Sequence, residues 1–380
     1  MSGIPSATRT ETMVLRAIWF EGAETRSQLG ASTGLSRPTI IAALDALRER
    51  NLIRTSRRKQ GSLGRDPEYI ALNPRAMYGI GVDIGGTKTA AALVDLRGEI
   101  VAEITRPTVQ NGPESLVDSV SQMKRRLLAN IGADARLAPF VAIGIPGVLQ
   151  DDGRLMHTGT LVGLDTMDMR RLFEDRLGCR VHLENDVNMA AYGELLSSES
   201  FSEGTRILIS VGTGLGMGIV HRGEVLRGST GHAGEIAYLP ISADQETRES
   251  KRHGVAEMLV SGPVFEAQYY KLSGTRRSAD QILELYLGDD RHASAAVHEL
   301  ALQLARVVVS VVVTLDPELV VMAGGLGSSP VLHDPLLRAV NAISPLPVKL
   351  ELARFGGRAG VVGATTYAQR YLEKLLITEG

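Results

Sequence analysis

The stretch Val82-Asp83-Ile84-Gly85-Gly86-Thr87-Lys88-Thr89 constrains this chain more than any other. Tyr78-Gly79-Ile80-Gly81-Val82 leads into it as a buried strand, and Thr89 to Asp95 leads out as a second. Two strands joined by an aspartate, two glycines, a threonine and a lysine form a tight hairpin. Glycine lets the backbone approach an anion, and the N–H groups of such a turn converge on a phosphate. An ordinary glycine hairpin uses the same residues, so the turn alone leaves both readings open.

At 380 residues the chain exceeds one typical domain, which predicts two or three units with a large core. Its hydrophobic share of 44% and charged share of 22% are those of an ordinary soluble protein. Aromatic residues make up only 4%, which argues against base stacking on single-stranded nucleic acid. The single cysteine, Cys179, excludes an internal disulfide and fits a reducing cytosol. No secretory leader is read at the start, and the longest apolar run, Val307 to Leu315, is too short for a membrane span. The expectation is a soluble, cytoplasmic protein with no membrane partner.

Charge divides the chain. Residues 1–75 carry 12 Arg and Lys against 7 Asp and Glu, whereas the remainder carries 29 against 36. A basic front end on an acidic body suggests a nucleic-acid module attached to something else.

The front end has a matching pattern. Thr12 to Phe20 places apolar residues at helical spacing and stops at Glu21-Gly22; Thr25 to Gly30 opens a second, short helix. Ser36 is a suitable N-cap for a third helix, Arg37 to Arg50, with Pro38 in its first turn and Ile40, Ile41, Leu44 and Leu47 inward. Ser36, Arg37 and Thr39 then point outward, where base edges lie when a helix enters the major groove. Asn51 to Arg54 and Tyr69 to Leu72 read as the two strands of a wing, with the basic tip Arg57, Arg58, Lys59 and Arg65 suited to phosphate or minor-groove contact. A winged helix-turn-helix over residues 1–75 is the predicted domain; a three-helix protein-interaction domain is the alternative.

In the body, Glu99 to Thr105 reads as a third antiparallel strand, Pro113 to Ile131 as a helix, and Phe140 to Gly147 as a buried strand ending in a turn. That order opens a ribonuclease-H-like half. It recurs in pattern after Gly204, with strands Ile207 to Val211 and Leu215 to His221, although no close internal repeat is visible. Glu184-Asn185-Asp186-Val187-Asn188 follows a short strand and opens a helix read over Met189 to Leu196. Asp186 there is either a general base or a helix cap. Gly212-Thr213-Gly214 forms a second glycine-rich turn and Gly324-Gly325 a third. Glu235 and Glu257 are either hydrogen-bond acceptors for sugar hydroxyls or plain surface carboxylates.

Taken in order, these motifs resemble the ROK family of repressors, open reading frames and kinases, from about Thr10 to Leu375, and more narrowly its winged-helix sugar-responsive regulators. The resemblance implies an α/β chain: a winged helix-turn-helix followed, over residues 76–380, by an actin-like, sugar-kinase type body of two ribonuclease-H-like halves, about 76–200 and 201–380. It implies that Asp83, Gly85, Gly86, Thr87, Lys88, Gly212, Thr213 and Gly214 lie near ATP phosphates, and Gly324 and Gly325 near the nucleoside. It places sugar hydroxyls among Gly147, Asn185, Asp186, Glu235, Tyr238 and Glu257, with Asp186 the base in kinases.

Departures from the family pattern matter equally. Tyr238 stands where members have a histidine, Thr160 where many sugar binders have asparagine, and Leu239 to Glu257 contains no cysteine. A structural zinc needs four ligands, commonly thiolates, so no zinc or other metal is expected. The retained glycine turns and Asp186 permit ATP with magnesium and a residual sugar-kinase activity without requiring either. The resulting expectation is a homodimeric or dimer-of-dimers transcriptional regulator that binds an operator in double-stranded DNA and answers to a sugar or sugar phosphate, more repressor than enzyme; a sugar kinase or bifunctional protein is the alternative.

Overall fold

The computed structural model describes residues 7–56, 68–150, 152–156, 161–196, 203–242 and 247–377. Side-chain caps set the helix starts of the head. Thr8 and Glu11 form a reciprocal capping box at α1 (Arg9–Trp19), and Thr25 and Gln28 do the same at α2 (Arg26–Thr33). Helix α3 (Arg37–Glu49) is capped by Ser36, whose Oγ accepts from Thr39 N at 3.4 Å. Val14, Leu15, Ile18, Leu29, Ile40, Leu44 and Leu47 are buried between the three helices. Ile41 is only half-buried, and Ala43 takes the inward place, because turns of 3.6 residues from Ile40 reach 43–44 and 47. Strands β1 (Ile53–Ser56) and β2 (Tyr69–Leu72) pair antiparallel as the wing, and the basic residues Arg57, Arg58, Lys59 and Arg65 lie outside the described residues. Replacing Ser36 with Ala should cost about 1 kcal/mol of stability, measured by denaturant unfolding. A loss too small to resolve would mean that the cap contributes nothing.

The first half of the body begins with β3 (Tyr78–Ile84), β4 (Lys88–Asp95) and β5 (Ile100–Pro107), then α4 (Pro113–Asn130) and β6 (Phe140–Ile145). A short hairpin, β7 (Val148–Leu149) with β8 (Leu155–Met156), precedes α5 (Met169–Leu177), β9 (Arg180–Asn185) and α6 (Asp186–Leu196). Its sheet runs β5-β4-β3-β6-β9, with the first three strands antiparallel and the last two parallel to β3. The second half contains β10 (Thr205–Val211), β11 (Leu215–His221), β12 (Glu224–Val225), α7 (Arg248–His253), α8 (Glu257–Val260), α9 (Gly262–Ser273) and α10 (Ala279–Leu287). It continues with α11 (Arg291–Leu315), β13 (Leu319–Ala323), α12 (Pro330–Ile343), β14 (Leu350–Leu352) and α13 (Ala359–Ile377). The sheet order β12-β11-β10-β13-β14 repeats the first topology strand for strand, including the directions. The body is therefore two ribonuclease-H-like halves, with a winged helix-turn-helix in front.

The apolar run 307–315 lies inside α11, which is long and apolar enough to cross a membrane by length and composition. In the fold it is a core helix: Leu300, Leu304, Val307, Val308 and Val311 pack with Ile207, Ile209 and Met322 of the second sheet.

The chain ends by crossing back. Helix α13 packs on the first sheet, where Gly79 of β3 meets Ala368 so closely that an added Cβ would sit 2.8 Å from its methyl. Helix α6 crosses α13 at Gly193 and Gly363 and lies against β11, where an added Cβ on Gly216 would come within 2.9 Å of Val187. Glu194, buried on α6, accepts from Arg354 N at 3.0 Å and Phe355 N at 2.7 Å, tying the approach to α13 to the middle of the body. At its far end α13 supplies Leu372 and Leu376 to the apolar cluster that holds Val14, Leu15 and Ile18 of the head.

Candidate functional site

Strand β9 runs to Asn185, and α6 starts at Asp186, three residues earlier than the sequence pattern suggested. Polar side chains at positions 185, 186 and 188 hide the start from a search for apolar periodicity. Asn185 does most of the capping: its Oδ1 accepts from Val187 N at 2.9 Å and Asn188 N at 3.1 Å. Its Nδ2 donates to Gly147 O at 3.1 Å, binding the helix start to the turn after β6. Gly147 has φ of 121°, a backbone conformation that favours glycine. Asp186 shares the Val187 N–H, at 3.0 Å, and Asn185 rather than Asp186 carries most of the cap.

Electrostatics show which carboxylates come together. Burial pushes Asp186 up to about 6, hydrogen bonds from the backbone oppose this, and the charge of Glu235 raises it further. Asp83, at the end of β3, is pushed up to about 7 by burial and by Asp186, against the lowering effect of Lys88. Tyr238 is raised by burial and then by Glu235 and Glu257. Asp83, Lys88, Asp186, Glu235, Tyr238 and Glu257 thus share one electrostatic neighbourhood, although they come from both halves of the body. Tyr238 is 41% exposed, and its hydroxyl donates to Arg252 O at 3.4 Å. Glu257 has a structural duty as well: Oε2 accepts from Leu215 N at 2.9 Å, bracing the second glycine turn, while Oε1 makes no hydrogen bond among the described residues. Thr160 lies outside the described residues.

The glycine turns occupy equivalent places in the two halves. Gly85 N donates to Lys88 O at 2.9 Å, closing the β3–β4 turn, and Gly212 N donates to Gly214 O at 3.0 Å, closing the β10–β11 turn. Thr108 and Gln110 donate to the carbonyls of Gly85 and Gly86, at 2.7 and 2.8 Å. The third turn adjoins the second, since Leu326 N and Gly327 N both donate to Val211 O at 3.0 Å. A Cβ on Gly325 would meet nothing within 4 Å, so backbone there is open to a ligand. Exposed Thr87, Thr213 and Lys88 with the backbone donors of these turns fit the phosphates of a nucleotide. Such a nucleotide would supply a transferable phosphoryl group. Asp186, titrating near neutrality, is suited to accept the proton of a hydroxyl. Among the described residues no three His, Cys, Asp or Glu side chains gather as a metal site.

In the head, Ser36 and Arg37 are exposed and Thr39 is half-buried. The Ser36 hydroxyl also bonds to Thr39 Oγ1 at 2.7 Å, so the cap uses part of the polar surface at the start of α3. Arg37 makes no ion pair among the described residues.

Glu184 opens the Glu-Asn-Asp motif but has no role that its sequence position announces. Its side chain is buried and is held by Arg227, whose Nη2 lies 2.5 Å from Oε2. The partner is in a loop of the other half, so no local spacing announces the pair.

Comparison with known proteins completes the description. The profile of the ROK family matches residues 79–371. The chain is 23% identical over 335 residues to the xylose repressor of Bacillus spizizenii, covering 87% of this chain and 85% of the repressor. It is 27% identical over 298 residues to the N-acetyl-D-glucosamine kinase of Escherichia coli K12, covering 75% of this chain and 97% of the kinase. Among solved structures, the ROK hexokinase of Thermus thermophilus superposes with a TM-score of 0.68 at 27% identity, over 78% of this chain and 100% of that one. A ROK family transcriptional regulator, a homologue of the Escherichia coli MLC protein, superposes with a TM-score of 0.76 over 97% of both chains; at 20% identity this shows a shared fold.

Proposed function

Because the chain belongs to the ROK family, we propose that it is a cytoplasmic DNA-binding transcriptional regulator, a repressor of carbohydrate-use genes. A sugar or sugar derivative held at Asn185, Asp186, Glu235 and Glu257 sets its affinity for an operator, which it reads as a homodimer. The head carries this reading. The kinase structure spans only 78% of this chain, whereas the regulator fold spans 97%, head included. Helix α13 supplies a physical link. Its first turn lies against Asp83, where a Cβ on Gly360 would meet the carboxylate, and its last turns pack on α1. Its 19 residues span about 28 Å, enough to carry a displacement at the cleft to the head as a rigid rod. Switching requires that the ligand prefer one arrangement; a near-complete switch needs roughly 5.5 kcal/mol of differential affinity.

The test is operator binding by fluorescence anisotropy, with and without a panel of sugars. Arg37→Ala should weaken binding by about 1–2 kcal/mol, in line with one lost base or phosphate contact. Sugars that bind the protein yet leave operator affinity unchanged would refute the switch. Duplex DNA left unbound even in dilute salt would refute the regulator.

A second reading, phosphorylation of the bound sugar, is favoured by the intact glycine turns and by the raised Asp186. A coupled ADP assay decides it: turnover with any sugar, lost in Asp186→Asn, establishes kinase activity.

A further inference from the structure

We propose that a cavity beside the sugar cleft, walled by Arg170, Arg227, Gln150, His182, Glu184 and Asn185, takes the anionic group, phosphate or carboxylate, of a small effector. This deepens the regulator reading and rests on it for the identity of the effector, but not for the anion itself. The cavity measures about 270 Å³ and opens where β7 and β9 meet the loop after β12. Asn185 lines it and also caps α6 next to Asp186, so one molecule can reach both places.

Among the described residues, the charged groups that line the cavity are Arg170, Arg227 and Glu184, and their balance is positive. The Glu184 carboxylate is already satisfied. Oε1 accepts from Asn185 N at 3.0 Å and from Asn188 Nδ2 at 3.1 Å, while Oε2 accepts from Arg227 Nε at 2.7 Å and Nη2 at 2.5 Å. Arg227 therefore turns one edge of its guanidinium to Glu184 and keeps Nη1 uncommitted among the described residues. Arg170, at the start of α5, is exposed and makes no ion pair among the described residues. His182 Nε2 is buried without a hydrogen-bond partner among the described residues. Burial, followed by the charges of Arg227 and Arg170, lowers its pKa to about 3, so it stays neutral; with Arg227 paired to Glu184, the surplus is one positive charge, that of Arg170.

Two arginines converging on a polar hollow, with one carboxylate already paired, match an anion that accepts planar, charge-assisted hydrogen bonds. A sugar phosphate or sugar acid would be read twice, by hydroxyl contacts at Asp186 and Glu235 and by its anion here. The cavity wall also touches the rod to the head: His182 stacks on Tyr367 of α13 with ring centroids 4.0 Å apart.

Calorimetric titration of the full chain tests this, using inorganic phosphate, glucose 6-phosphate, gluconate and neutral sugars as probes. Phosphate or glucose 6-phosphate should bind, and Arg170→Ala should weaken that binding roughly tenfold or more. Neutral-sugar affinity and the melting temperature of the free protein should stay unchanged. Arg227→Lys, which keeps a charge on Glu184 but loses the fork, should weaken the anions too. Gluconate without phosphate binding would identify a carboxylate as the group recognised. Anion affinity equal in wild type and Arg170→Ala overturns the site. So does neutral-sugar binding with no anion binding, an outcome that leaves the regulator reading intact. Phosphate binding lost in Arg170→Ala supports the cavity even if every sugar fails.

Discussion

Gly363→Val is expected to remove about 4 kcal/mol or more of folding stability, the largest effect of any single change considered for this chain. Helix α13 crosses α6 at this residue, and any Cβ there would fall on the carbonyl oxygen of Met189 and lie 3.1 Å from Gly193 N. Overpacking in a core usually costs about 1–3 kcal/mol because side chains shift aside. Here the obstacle is the backbone of a buried helix, which has no rotamer to change. The loss approaches the whole stability of a typical domain, about 5–15 kcal/mol. Gly357→Val is the matched control: its Cβ would come within 3.2 Å only of the Lys88 ammonium, the far end of a flexible side chain. Guanidinium unfolding of both variants measures the difference. Equal midpoints would show that the crossing is loose and that α13 can slide on α6.

Asp83→Asn is expected to stabilise the protein above neutral pH while changing it little near pH 4. An aspartate held at about 7 in the fold, against 3.8 ordinarily, binds its proton more tightly folded than unfolded. Its contribution is therefore fully present below the ordinary carboxylate range and is lost as pH rises from about 4 to about 7. The full shift would correspond to roughly 4 kcal/mol, and partial solvent access reduces this to on the order of 2 kcal/mol. The asparagine variant lacks this loss, so its advantage over wild type should grow between pH 5 and pH 8. Thermal unfolding at both pH values reads the difference. Parallel curves for the two proteins would mean that Asp83 titrates normally, and the carboxylate cluster at the cleft would dissolve with it.

The elements of the head and most of those of the first half were legible, whereas α7 to α13 were not read individually. The hairpin around Gly85 and Gly86, the cap at Ser36 and the helix at Leu116, Val120, Met123 and Leu127 all rest on spacing within a few residues. The start of α6 did not, because residues 185, 186 and 188 are polar and the hydrogen bonds of Asn185 mark it instead. The duplicated halves were visible as an order of elements, not as repeated residues, because a strand order asks only for apolar strands in sequence.

By itself, the sequence determined the helices and strands of the head and most of those of the first half, where the glycine turns fall and which family pattern they compose, since each depends on neighbours along the chain. Only the tertiary structure decided that α13 returns to the first sheet, that Gly193 meets Gly363 and that Arg227 neutralises Glu184. Those pairings join residues far apart in sequence. Their energies come from close packing and from charges removed from water, neither of which leaves a periodic trace in the chain.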